Sequence, residues 1–371
     1  MDRGPSAAKP RETGGGAPAV AAPKSPRAAD GRHSEVGDSP SVMVESRFGM
    51  RGPWSLAEAQ AYCRRLARSH YENFTVGSFL LPRRLRPHFY NVYAFCRTAD
   101  DLADETGDAP RALRLLAEWR RELAECYAGR PADPVMVSLA ATIGEFGIPR
   151  EPFEDLIAAF EQDQRVQRYE TFDELVDYCR RSANPVGRLV LYLLRSFDSR
   201  RAALSDSICT GLQLANFWQD VGRDLDQGRI YLPAEDRRRF GYRDEDFYAR
   251  RYNPAFRALM AMEVDRAREF FDRGAALVGL VPRRARLDVE LFIRGGLAIL
   301  GKISKIGYDV WSQRPTLSRW DKLVLAARAV AGRAIGKPGR RRETNERRGP
   351  SADKIEPPLP VTASAPRSDP P

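Results

Sequence analysis

Four carboxylates fall within the six residues Asp100–Glu105 of the stretch "CRTADDLADE", directly after Arg97. The apolar residues Phe89, Val92, Phe95, Cys96, Ala99 and Ala103 predict a helix over Arg86–Glu105. On it Tyr93, Arg97, Asp100, Asp101 and Asp104 follow one another at helical spacing. Asp100 and Asp104 are one turn apart on one face; Asp101 and Glu105 are offset and are expected to tune the field or cap the helix. A second helix, "ICTGLQLANFWQDVGRDLDQGRIYLP", repeats the pattern: Gln213, Asn216, Asp220 and Asp224 are separated by three, four and four residues. Its Leu212, Leu214, Phe217, Trp218 and Val221 belong to a deeply packed helix, so this polar stripe is expected to look inward.

Carboxylates one turn apart repel, and desolvating them costs several kcal/mol per ion unless cations compensate. The compensating cation is either arginine or a metal. Oxygen-only ligands on two facing helices suit a hard ion such as Mg²⁺, which keeps waters and is completed by substrate phosphates. A single acidic cluster reads equally well as a solvated helix end. The second D-x-x-x-D, preceded by Gln and Asn inside an aromatic-rich helix, argues against that reading.

The elements that must position these residues are helical. Apolar residues recur at three- and four-residue spacing through the middle of the chain, strand-like alternation is nearly absent, and Pro and Gly breaks divide it into nine or ten helices. The expected organisation is a Gly-, Ala-, Pro- and Ser-rich disordered tail over residues 1–45, one all-α domain over 46–335, and a basic, Pro-rich disordered tail over 336–371. The start lacks the apolar core of a secretory signal, and no apolar run reaches bilayer length; "VELFIRGGLAILGKI" is broken by Arg294 and two glycines. Five scattered cysteines and three histidines offer no metal-ligand spacing, so the thiols are read as reduced and buried in a cytoplasmic protein. A net charge of +10 admits nucleic acid, an anionic membrane or an anionic small substrate. A basic helical binding protein would leave the inward carboxylates unexplained, and a ferritin-like di-metal bundle would need Glu and E-x-x-H pairs that the sequence lacks.

"NVYAFCRTADDLADE" together with "GLQLANFWQDVGRDLDQGRIYLP" resembles the squalene/phytoene synthase family, head-to-head prenyl transferases of the all-α isoprenoid synthase fold, a helical bundle around a central cavity. The resemblance implies that Asp100 with Asp104, and Asp220 with Asp224, hold Mg²⁺ ions that clamp a prenyl diphosphate, with Asn216 beside them. It further implies that Arg97 is a diphosphate ligand, and that Tyr93, Gln213, Asn216, Arg229 and Tyr231 are active-site residues, with His70 at the pocket entrance. Ionising the diphosphate calls for preorganised positive charge, and the carbocation left behind calls for aromatic walls, for which Phe74, Phe95, Tyr93, Phe160 and Phe217 are candidates. Asp163 and Tyr169 form another polar insertion before "YCRRSANPVG", where Asn184-Pro185 and Gly187 break or kink a helix in the pocket wall.

Within the family, "ENFTVGSFLLPRRLRPHFYNVYAFCRTADDLADE" and "YCRRSANPVGRLVL" resemble the branch that makes hydroxysqualene in bacterial hopanoid synthesis, from presqualene diphosphate and water. Two departures from the wider family accompany this. Where many members have Ser-Lys/Arg-Ser-Phe, this chain has Tyr71, Glu72, Asn73 and Phe74; where many have Asn-x-x-Arg-Asp, it has Gln219 before Asp220. Each lost cation would weaken anion binding by about 1.5–3 kcal/mol, unless Arg165, Arg168, Arg314 or Arg319 replaces it. The rival reactions are presqualene diphosphate synthesis, complete squalene synthesis and a phytoene-type condensation. No nicotinamide cofactor and no nucleic acid are expected. Residues 317–337 form a basic amphipathic stretch with two readings: contact with the inner membrane face, or packing on the domain.

Overall fold

A computed structural model describes residues 52–69, 83–104, 107–318, 320–321 and 324–325. The expected tails, His70, Phe74, Glu105 and most of the 317–337 stretch lie outside the described residues.

Ten longer helices are described: α1 (Leu56–Ser69), α2 (Arg86–Asp104), α3 (Ala109–Tyr127), α4 (Pro134–Phe146), α5 (Glu151–Asp163), α6 (Phe172–Ser182), α7 (Asn184–Leu193), α8 (Ser199–Asp226), α11 (Pro254–Gly274) and α13 (Arg286–Lys305). Three short ones, α9 (Ala234–Arg239), α10 (Asp244–Tyr248) and α12 (Leu277–Leu280), fill the connections. The sequence punctuation accounts for most boundaries. Asp108, Asp133, Thr171, Asp198 and Asn253 cap the helices that follow by accepting backbone N–H bonds, and Pro110, Pro134 and Pro254 sit in first turns where no donor is lost. The fold is all-α; the sole strand-like pairing among the described residues is a parallel bridge between Arg168 and Ile230.

Two helices form the interior. In α2 every residue from Asn91 to Ala103 is buried, and Asn91 anchors it to α4 by donating to the Ser138 carbonyl and to Thr142 Oγ1, each at 3.0 Å. In α8 nearly every residue from Ile208 to Val221 is buried, which is why apolar side chains occupy all its faces. α8 packs against α6, α7, α11 and α13. Gly187 permits the α7 contact: a Cβ there would lie 2.6 Å from Cys209 Sγ and closer still to Ser205 Oγ. The break expected at "SANPVG" is the junction between α6 and α7, held where Thr210 Oγ1 donates to Asn184 Oδ1 at 3.0 Å.

All five cysteines are free and buried, and burial pushes the thiols of Cys63, Cys96, Cys126 and Cys209 up to about 12, so they stay protonated. Among the described residues no helix is long and apolar enough to cross a membrane. The described part of the C-terminal stretch divides: Leu317 is buried against the domain while Trp320 is 73 % exposed.

Candidate active site

The first acidic motif carries its own counter-charge. Arg97, one turn before it on α2, places Nη1 3.1 Å from Asp100 Oδ2 and Nη2 2.5 Å from Asp101 Oδ1, and all three side chains are at most 5 % exposed. Asp101 is offset from Asp100 and Asp104 as the helical wheel suggests, but it is an ion-paired group and not a solvated one. It is buried, and it shares the guanidinium with Asp100. Asp104, in the last turn, is partly exposed and meets a different arginine: Arg229 Nη2 lies 3.5 Å from its Oδ1.

Arg229 comes from just beyond the second motif. Gly228, at φ 75°, turns the chain out of α8; the Arg229 N–H then donates to the Asp224 carbonyl at 2.8 Å and the Ile230 N–H to the Gln167 carbonyl at 2.7 Å. The end of one acidic helix thus aims a cation at the end of the other.

The second motif is neutralised from far away in sequence. Asn216 Nδ2 donates to Asp220 Oδ2 at 3.0 Å, and Arg314 grips both oxygens of Asp220, with Nη2 3.0 Å from Oδ2 and Nε on Oδ1. Asp224 is buried one turn on.

Between α2, α5, α6 and α8 lies a cleft lined by Asp100, Asp104, Leu156, Ala159, Phe160, Asp163, Tyr178, Ser182, Gln213 and Arg229. Its lining combines the charged Asp100, Asp104, Asp163 and Arg229 with the apolar Leu156, Ala159 and Phe160. Tyr178 Oη donates to Asp163 Oδ2 at 3.0 Å. Burial first, and the nearby Asp163 second, raise the Tyr178 phenol well above its ordinary value, so it remains a donor. Behind it Tyr231 stacks on Phe217 with centroids 3.8 Å apart, and Tyr169 and Tyr178 approach the same ring at 5.9 and 6.1 Å. Gln213 is buried and its Oε1 has no hydrogen-bond partner among the described residues, a lone pair held beside the cleft without an internal donor.

Of the residues singled out from sequence, Asp100, Asp104, Asp163, Gln213, Arg229 and Phe160 line this cleft. Phe217 and Tyr231 form the stacked wall behind it. Tyr93, Arg97, Asn216, Asp220 and Asp224 lie outside the lining, and burial pushes the Tyr93 phenol up to about 12. Phe95 is a core residue, stacked on Trp119 at 5.5 Å and edge-on to Phe153 at 5.0 Å, and does not face the cleft. Sequence reasoning missed Tyr178. Its partner Asp163 is fifteen residues away across a loop, so no helical spacing links the two.

The donor set of the two motifs fits a hard cation. Asp100, Asp104, Asn216, Asp220 and Asp224 supply oxygen ligands only. Arginines already stand against Asp100, Asp104 and Asp220, marking where positive charge is required. Among the described residues no three acidic, His or Cys side chains close into a ready-made metal cluster.

The model of the squalene/phytoene synthase family matches residues 53–321, which contain both motifs and the cleft. The chain belongs to the squalene/phytoene synthase family. It is an enzyme of the class that uses prenyl diphosphates, and it has the terpenoid synthase fold. Squalene synthase HpnC from Alicyclobacillus acidocaldarius is 48 % identical with a TM-score of 0.66, covering 69 % of this chain and 97 % of that one. A dehydrosqualene synthase solved with a ligand is 26 % identical with a TM-score of 0.68, covering 75 % of this chain and 98 % of its own. Among curated sequences, 15-cis-phytoene synthase from Synechocystis sp. is 32 % identical over 282 residues, or 73 % of this chain and 84 % of that protein. Phytoene synthase from Arthrospira platensis is 31 % identical over 288 residues, or 74 % and 93 %.

Proposed function

We propose that this enzyme converts presqualene diphosphate and water to hydroxysqualene and diphosphate, with Mg²⁺ as cofactor. The observation that carries this reading is the 48 % identity to the squalene synthase HpnC structure, well above the identities of about 31 % to the phytoene synthases. The cleft supports it. Among the described residues its lining carries Arg229, in contact with Asp104 of the first motif, as a cation that could meet a diphosphate.

When bound, Mg²⁺ would neutralise the leaving diphosphate, held by Asp100 and Asp104 on α2 and by Asp220 and Asp224 on α8 with Asn216 beside them. The chain's own residues do the rest. Arg229 is placed to meet diphosphate oxygens as the C–O bond breaks and both electrons leave with the phosphate. Phe160 and the Tyr178 ring line the space in which the cation would sit, and a π face steadies positive charge while excluding bulk water. A single water is needed: its oxygen bonds to the cationic carbon and it loses one proton. The Asp163 carboxylate, which accepts a bond from Tyr178, is a group in the cleft wall that can orient that water and take the proton. No electrons enter or leave, so no hydride donor is required, in contrast with a reductive squalene synthase.

A phytoene-type condensation is the second reading, favoured by the curated relatives. Purified protein incubated with Mg²⁺ and presqualene diphosphate in ¹⁸O water should give ¹⁸O-labelled hydroxysqualene. Conversion of farnesyl diphosphate alone to presqualene diphosphate, or of geranylgeranyl diphosphate to phytoene, would overturn the first reading.

A further inference from the structure

Gln219 is 4 % exposed on α8, immediately before Asp220. Its Nε2 donates to the Pro315 carbonyl at 2.5 Å. Pro315 is the neighbour of Arg314, whose guanidinium holds both oxygens of Asp220. The segment is pinned on either side. Trp311 packs against Phe247 and Phe256 at 5.2 and 5.3 Å, and Leu317 is buried. Side chains at successive positions of one helix point about 100° apart, so Gln219 and Asp220 can grip two points of the same crossing segment.

We propose that Gln219 is a positioning residue: by fixing Pro315 it sets Arg314 on Asp220 as a built-in counter-cation, so that metal loads the second motif only when a diphosphate draws Arg314 away. This rests on the reading of the site as a metal–diphosphate clamp. A bidentate guanidinium on a largely buried carboxylate is a strong charge-assisted contact, and a metal offered alone must displace it. A metal offered with diphosphate need not leave the guanidinium unpaired, because the diphosphate oxygens accept it instead. Binding order, rather than gross affinity, is what Gln219 would control. It acts on the substrate through Arg314 and not by touching it.

The test is calorimetric titration of the purified full-length chain with Mg²⁺ alone, then with Mg²⁺ in the presence of inorganic pyrophosphate, with the melting temperature of every variant recorded. Arg314→Gln should bind Mg²⁺ alone about tenfold more tightly, the scale of one lost charge-assisted contact, and should lose most of the gain that pyrophosphate gives the wild type. Gln219→Leu, which cannot donate to Pro315, should shift both quantities in the same direction by less, and Gln219→Asn, one methylene too short, should behave like it. In the Gln219→Leu/Arg314→Gln double variant the first change should add nothing to the second. Unchanged Mg²⁺ binding in Gln219→Leu overturns the proposal, as does full additivity in the double variant, or a lowered melting temperature as the sole effect. Wild-type protein that binds no Mg²⁺ even with pyrophosphate overturns the metal–diphosphate reading itself, and this inference with it; that result differs from a wild type that binds normally beside an indifferent Gln219→Leu.

Discussion

The two acidic motifs share a spacing and differ in how their charge is held. On α2 the counter-ion is local: Arg97 sits three and four residues from Asp100 and Asp101, and the cluster is sealed from solvent at 5 % exposure or less. On α8 the counter-ion is remote: Arg314 reaches Asp220 across 94 residues, is 25 % exposed, and rides on a segment that crosses the helix. A local pair inside a buried helix is part of the fold, because removing one partner strands charge in the core. A remote pair near the surface is a contact that binding can exchange. One counter-ion is therefore built into the fold, and the other is exchangeable.

The difference predicts effects of unequal size. Arg97→Ala should cost about 3–5 kcal/mol in denaturant unfolding, since it leaves two buried carboxylates without their guanidinium. A loss under about 1 kcal/mol would show that α2 does not depend on this pair. Asp100→Asn and Asp220→Asn should each lower kcat by about 10²–10³-fold, as expected when one preorganised charge at a developing leaving group is lost. If only one of them does, the motifs do not work together. Arg314→Ala should cost only about 1–2 kcal/mol of stability, less than Arg97→Ala, because its side chain keeps access to water.

The smallest effect concerns pH and the start of α2. His88 Nδ1 lies 3.1 Å from Thr142 Oγ1, and its Nε2 lies 3.3 Å from Glu145 Oε2. Burial lowers its pKa below the usual 6.5, with Arg195 adding to the shift and Glu145 opposing it. The unfolded chain then binds more protons than the folded one as pH falls through that range, so this contribution is complete above about 6.5 and is lost below it. His88→Gln should flatten the stability profile between about pH 5 and 7.

Much of this was legible in the sequence. Helical periodicity and Pro and Gly punctuation fix the all-α fold, and the i, i+4 spacing places Asp100 with Asp104 and Asp220 with Asp224. What spacing cannot show is a tertiary partner. The hydrogen bond of Tyr178 to Asp163, the grip of Arg314 on Asp220 and the reach of Arg229 to Asp104 all depend on how helices cross. The burial of Asp101 was hidden for a related reason. A helical wheel assigns faces relative to a single core, whereas α2 is buried on every side and Asp101 faces protein wherever it points. Phe95 shows the converse: an aromatic at helical spacing tells of packing, and only the neighbours Trp119 and Phe153 show that it belongs to the core and not the cleft.

The central claim is that the two motifs close on one metal–diphosphate group. Crystals grown with Mn²⁺ and inorganic pyrophosphate, measured at the manganese absorption edge, test it most directly. The account predicts anomalous peaks between the carboxylates of Asp100 and Asp104 and those of Asp220 and Asp224, with Arg314 withdrawn from Asp220. Manganese at one motif only, or Arg314 still seated on Asp220 with pyrophosphate bound, would contradict it.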